Sequence, residues 1–130
     1  MHHSLADNLQ PFFDKYRALL AAVYLFGSVA LDQATAQSDL DIAVLLTSTA
    51  VDAAASLRFS LFADCSRILK RNDIDLIILN TAANLILQDA IIRTGILLYD
   101  GDSTARVDYE LNVLHQAADF RWQRQMAMGV

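Results

Sequence analysis

One cysteine, one proline and four glycines are all that this 130-residue chain contains of those three residue types. A lone Cys65 excludes an internal disulfide and fits a reducing compartment. With so little proline and glycine, and 55% hydrophobic residues, a disordered or linker-rich polypeptide is excluded. Apolar runs are also short. None approaches the ~18 residues that span a bilayer, so no membrane partner is expected. The start, Met1-His2-His3-Ser4, lacks the basic and apolar regions of a secretory leader, and a cytoplasmic location is expected. His2 and His3 are given no function. Positive charge is scarce too: ten Lys and Arg stand against fifteen Asp and Glu, a net charge of −5. The densest basic group (Arg67, Lys70, Arg71) lies at the end of an expected helix, and the rest are scattered. Long nucleic acid, which is held through phosphate contacts on a basic surface, is therefore disfavoured. A small anionic substrate neutralised by metal ions remains.

What is present is an alternation of helical and extended patterns with no repeat or linker, so residues 1–130 are read as a single domain. Residues 7–20 read as a first helix, with Asp7 as its cap and Pro11 near its first turn. Ala22 to Phe26 is a short apolar strand that runs into Gly27-Ser28. Leu40 to Leu46 is a second strand, apolar on both faces beyond its start, and so belongs inside a sheet. Residues 51–71 form a helix whose stripe Ala54, Leu57, Leu61, Cys65, Ile68 and Leu69 is buried, with Asp64 off it. On that stripe Cys65 reads as a structural thiol. Ile74 to Leu79 is a third strand, and residues 84–94 a helix ended by Gly95 in a left-handed cap. Ile96 to Tyr99 reads as a short edge strand and residues 104–127 as a last helix. The order predicts an α+β domain with a mixed sheet flanked by helices.

The chemistry concentrates in one segment: Gly27-Ser28, ten residues, then Asp39-Leu40-Asp41 at a strand start. Residues two apart on a strand share a face, so the two carboxylates point together. At about 4 Å and an effective dielectric near 20 their repulsion is of order 4 kcal/mol. No Lys or Arg lies between Tyr24 and Ala55 to relieve it, and a hard divalent cation such as Mg²⁺ suits carboxylate oxygens. Asp73 and Asp75 repeat the pattern at the third strand. If that strand lies beside the second, Asp75 joins the cluster, and three carboxylates around two ions make a phosphoryl-transfer site. Gly27 lets backbone approach a phosphate closely, and the Ser28 hydroxyl can donate to its oxygens.

Phe26-Gly27-Ser28-Val29-Ala30, with Ser38-Asp39-Leu40-Asp41-Ile42-Ala43-Val44-Leu45, resembles the signature of the DNA polymerase β-like nucleotidyltransferases. It is similar, more narrowly, to the minimal nucleotidyltransferases (MNT) paired with HEPN toxins in toxin–antitoxin systems. Ile74-Asp75-Leu76-Ile77, Asn80-Thr81-Ala82 and Gly95-Ile96-Leu97-Leu98-Tyr99 extend the likeness over residues 20–100. The resemblance implies the nucleotidyltransferase fold. It implies Asp39, Asp41 and Asp75 as catalytic ligands of two Mg²⁺ ions, with Asp73 in reserve, and Gly27 and Ser28 as ATP phosphate contacts. It further implies transfer of AMP from ATP to a tyrosine hydroxyl of a HEPN-type partner, in the role of antitoxin. The chain departs from the pattern in one place: family members often carry Arg-Gly after the first motif, where Leu31 and Asp32 stand here. That departure keeps open a catalytically weak nucleotide-binding module that neutralises its partner by complex formation. A small-molecule nucleotidyltransferase is the third reading; members of that kind generally carry a further substrate domain.

Other features read as structural. Asp100-Gly101-Asp102 is a surface turn, since the remaining ligands of a calcium loop are missing. His115 reads as solvated, neither Cys65 nor any histidine has a partner at zinc spacing, and no base is nominated for a Ser28 nucleophile. The last helix carries two apolar stripes. Val107, Leu111, Leu114, Ala118 and Trp122 form the one needed for packing; Tyr109, Val113 and Phe120 form an extra one, which either packs within the monomer as well or meets a partner.

Overall fold

Apolar residues on both faces of the central strands demand cover on both sides, and the chain supplies it. Residues 2–35 and 38–127 are described by a computed structural model, apart from the side chains of residues 2 and 3. The side chains of His2 and His3, on which the expectation bore, and residues 36–37 of the link before the second strand thus lie outside what is described. The element order is α1 (His2–Asn8), α2 (Gln10–Lys15), β1 (Leu20–Phe26), α3 (Gly27–Ala30) and β2 (Leu40–Leu46). A 3₁₀ turn (Val51–Ala53), α4 (Ala54–Leu69), β3 (Ile74–Ile78) and a second 3₁₀ turn (Leu79–Thr81) follow. The chain ends with α5 (Leu85–Thr94), β4 (Ile96–Asp100) and α6 (Ser103–Ala127).

The four strands form one mixed sheet in the order β3-β2-β1-β4, with β2 antiparallel to β1, parallel to β3, and β4 antiparallel to β1. β2 is central, as its two apolar faces require. Leu40, Ile42, Val44, Ile74 and Leu76 meet Phe12, Phe13, Leu61 and Cys65 in the larger core, under α1, α2 and α4. Ala43, Leu45, Tyr24 and Leu79 meet Ile91 in the smaller one, under α5 and α6. Burial pushes the Cys65 thiol up to about 12, in keeping with a packed, unreactive side chain.

Several sequence expectations are corrected. The first helix is two, because Pro11 falls in the first turn of α2, where its missing N–H is harmless, and stops α1 before it. Asp7 is consequently inside α1 rather than a cap. Asp64, expected off the packed stripe, is largely enclosed: its carboxylate accepts from Tyr16, from Lys15 Nζ at 2.7 Å and from Arg67 Nη2 at 3.0 Å, tying α2 to α4. Those donors hold Asp64 well below the usual carboxylate range, with Lys15 the largest contributor. Gly95 is extended (φ −73°, ψ 164°) instead of left-handed. It is needed for close approach, since a Cβ there would lie 2.4 Å from the Ile91 carbonyl oxygen and 3.1 Å from that of Leu25. The left-handed helix cap is Lys70, at the end of α4.

The two stripes of α6 do not divide as expected. Val113 and Ala117 are buried and Tyr109 and Leu114 half-buried, whereas Val107, Leu111 and Trp122 of the expected packing stripe, and Phe120 of the other, are exposed. Polar anchors set this rotation: Tyr109 Oη donates to Gln88 at 2.7 Å, and Tyr24 Oη donates to Glu110 at 2.7 Å. Asp102 caps the helix by accepting from the Ala105 N–H at 3.1 Å, which accounts for the Asp-Gly-Asp turn.

Candidate active site

Antiparallel pairing of β1 with β2 brings the end of the first strand to the beginning of the second, so Phe26 faces Asp41 across the ladder. The Gly27-Ser28 turn therefore opens directly over the carboxylate that sequence spacing singles out. Gly27 has φ +75°, a left-handed conformation that side chains resist. A Cβ on it would lie 2.1 Å from Asp41 Oδ2, so only hydrogen fits between turn and carboxylate. Two separate reasons thus require glycine here, and neither is visible in the dipeptide itself. Ser28, half-buried, opens the single turn α3 beside it.

The third carboxylate arrives across the parallel ladder. Register pairs Leu40 with Ile74, Asp41 with Asp75 and Ile42 with Leu76. Leu40, Ile42, Ile74 and Leu76 are buried in the larger core, which leaves Asp41 and Asp75 together on the opposite face. Asp39, one residue before β2, shares that face and is exposed. Partial burial raises the Asp41 carboxyl above its ordinary value, with the Asp75 charge next and that of Asp39 after it. The cross-strand neighbour therefore acts on Asp41 more strongly than the residue two places away along the strand.

Asp73 is drawn out of this group. Arg71 grips it with two bonds, Nε to Oδ1 at 2.5 Å and Nη2 to Oδ2 at 2.7 Å, which hold its carboxyl low. Arg71 Nη2 also reaches the Ser38 carbonyl oxygen at 3.3 Å, and the Leu40 N–H donates to the Asp73 carbonyl at 2.9 Å. One guanidinium thereby clamps the chain entering β2 to the chain entering β3 and fixes the register that sets Asp41 beside Asp75. Sequence reading noted Arg71 only as part of a basic group. Its spacing of two from Asp73, at a helix-to-strand turn, was the available signal.

The donor set suits a hard divalent cation. Asp41 and Asp75 form no ion pair among the described residues, and all three groups offer only carboxylate oxygens. Among the described residues no three acidic, histidine or cysteine side chains close into a finished metal cage. The charges of Asp75 and Asp39 both push the Asp41 carboxyl up, a repulsion that a bound cation would relieve.

Where the family pattern carries Arg-Gly, Leu31 is exposed and Asp32 has φ +56°. Aspartate tolerates that left-handed region better than most side chains. The arginine's charge has no replacement at Leu31.

No curated protein matches the chain. Among solved structures it is similar to a chain of a toxin–antitoxin crystal structure with AMP-PNP, at 21% identity and TM-score 0.70, covering 95% of this chain and 94% of that one. It is similar also to a chain of a tri-AMPylated Shewanella oneidensis HEPN toxin in complex with MNT antitoxin, at 21% identity and TM-score 0.63 over 97% and 95%. A toxin–antitoxin MntA–HepT crystal structure matches at 21% identity and TM-score 0.60 over 98% and 92%. These likenesses establish a shared fold. The family model described as polymerase beta, nucleotidyltransferase matches residues 7–104, a span that contains the glycine turn, the paired strands and all the carboxylates. The chain belongs to the polymerase beta nucleotidyltransferase family.

Proposed function

We propose that this protein, as a single nucleotidyltransferase domain over residues 1–130, is a Mg²⁺-dependent enzyme that moves AMP from ATP to a tyrosine hydroxyl of a HEPN-type toxin. The observation that carries the reading is the three-strand junction at Asp41: Gly27 packed on its carboxylate, Asp75 in register beside it, and no cation among the described residues paired to either acid. Gly27 admits a phosphate against the turn, and the Ser28 hydroxyl donates to its oxygens. Asp39, Asp41 and Asp75 would hold the divalent ions, which when bound supply charge neutralisation of the triphosphate and a more acidic attacking hydroxyl. Arg71 positions the carboxylates through the two strand entries. The partner and the acceptor are inferred from the likeness to AMPylated toxin–antitoxin complexes together with the sequence resemblance.

Titration calorimetry with ATP tests the site. Binding is expected with Mg²⁺, and to be largely lost with chelator or in Asp41→Asn. Equal affinity in all three conditions would remove the site. Intact mass of the co-expressed helical partner, before and after Mg-ATP, then reads the transfer as added AMP. The exposed Leu31, which leaves the triphosphate one cation short, favours a second reading as a weakly catalytic module that acts by complex formation. Tight association with the partner and no gain in mass would select it.

A further inference from the structure

The face of α6 that packs on α5 does not stop where the packing stops. Tyr109, Val113 and Ala117 recur at helical spacing, the first bonded to Gln88 of α5 and the other two buried, and Phe120 and Arg124 continue the same face. Beyond Ala117 that face meets only the first turns of α5, and a cavity of about 210 Å³ opens between the two helices, its apolar lining made by Leu85, Ile86, Ala117 and Phe120. Ile86 is 63% exposed and Phe120 40%, and neither belongs to a core cluster. α5 begins just beyond the end of β3 that is far from Asp75, so this groove is separate from the carboxylates. We infer that the groove docks an amphipathic helix of the protein partner, apolar on the face it buries and acidic beside it. The inference rests on the reading above for the identity of the partner, and adds where and by what chemistry it is held.

Charge selects that occupant. Asp89 is the one acid lining the groove, and both its oxygens are taken, by Arg93 Nε at 2.9 Å and by Arg121 Nη1 at 3.4 Å. Arg124 lies over the Phe120 ring, 5.9 Å from its centroid, and forms no ion pair among the described residues. Three arginines against one aspartate make this apolar groove locally positive, on a chain whose net charge is −5. An acidic helix gains from that excess at encounter and again on docking, where a carboxylate pairs with Arg124 beside buried apolar surface. Shape decides against a lipid surface, which also attracts apolar and cationic groups. A cleft between two helices is concave and receives a ridge of side chains, whereas a membrane is met by a convex apolar stripe. Because the groove is remote from Gly27, Asp41 and Asp75, a partner can stay held there while ATP enters the cleft and pyrophosphate leaves it.

Surface plasmon resonance with the immobilised HEPN-type partner tests the groove. Phe120→Ala and Ile86→Glu should each weaken binding about tenfold, and Arg124→Glu about fivefold with a shallower salt dependence. All three side chains are exposed, so the melting temperatures should match wild type, and affinity for Mg-ATP should stay within about twofold. The wild-type chain should not co-sediment with phosphatidylglycerol vesicles. Partner binding unchanged by all three substitutions would overturn the docking groove and leave the nucleotidyl-transfer reading standing. Tighter binding by Arg124→Glu would overturn the acidic chemistry of the occupant, and co-sedimentation that the same substitutions abolish would put a lipid surface in its place. A wild-type chain that neither binds the partner nor raises its mass with Mg-ATP would overturn the reading beneath, and the inference with it.

Discussion

Replacing Gly27 with alanine should be costly for two reasons that can be measured apart. The left-handed backbone at φ +75° disfavours any Cβ by about 1–2 kcal/mol. The added methyl would also lie 2.1 Å from Asp41 Oδ2 and 3.0 Å from its Cγ, so the carboxylate must move away. Overpacking of that kind typically costs ~1–3 kcal/mol. Together they predict a loss of about 3 kcal/mol in urea unfolding, a large part of the ~5–15 kcal/mol that stabilises a typical domain. In an Asp41→Ala background the clash is gone and only the backbone component should remain, about 1–2 kcal/mol. Calorimetry of Gly27→Ala with Mg-ATP should show binding lost, because the carboxylate it displaces belongs to the proposed site. A loss below ~0.5 kcal/mol, or the same loss in both backgrounds, would refute the steric reasoning.

Asp41 is held above its ordinary value of 3.8, so its protonated form favours the fold. That stabilisation is complete below the ordinary value and disappears as pH rises through the raised one. Asp41→Asn should accordingly melt above wild type at pH 7, with the gap closing towards pH 3; a lower melting temperature at pH 7 would contradict the assignment. Asp75→Asn should abolish AMP transfer with little change in stability. Asp73→Asn should leave most activity, since Arg71 already occupies that carboxylate; the reverse ranking would exchange their roles. Ending the chain at residue 118 should leave a folded, ATP-binding domain, because every described residue beyond it is exposed. It should weaken capture of the proposed partner more than tenfold if Trp122 is an anchor. An unchanged affinity in surface plasmon resonance would place that interface elsewhere.

Local pattern was enough for much of this protein. Leu40–Leu46 was legible to the residue, because a strand apolar on both faces and begun by Asp-x-Asp has few alternative readings. The glycine turn and the buried stripe of α4 followed from nearest-neighbour chemistry in the same way. Choices between equivalent local patterns needed the tertiary structure. Asp73 and Asp75 have the same spacing, and only the bond from Arg71 to one and the ladder pairing of the other separate them. Both stripes of α6 satisfy helical periodicity, and partners far away in sequence, Gln88 and Tyr24, turned the helix onto the second. Gly95 was recognised as necessary for the wrong reason, since the close approach of the Leu25 and Ile91 carbonyls comes from neighbouring elements. Sequence spacing therefore determined which side chains share a face within one element. Which element stands opposite was decided by long-range strand pairing that no local period encodes, and which carboxylate is free for chemistry followed from that pairing together with the short-range grip of Arg71 on Asp73.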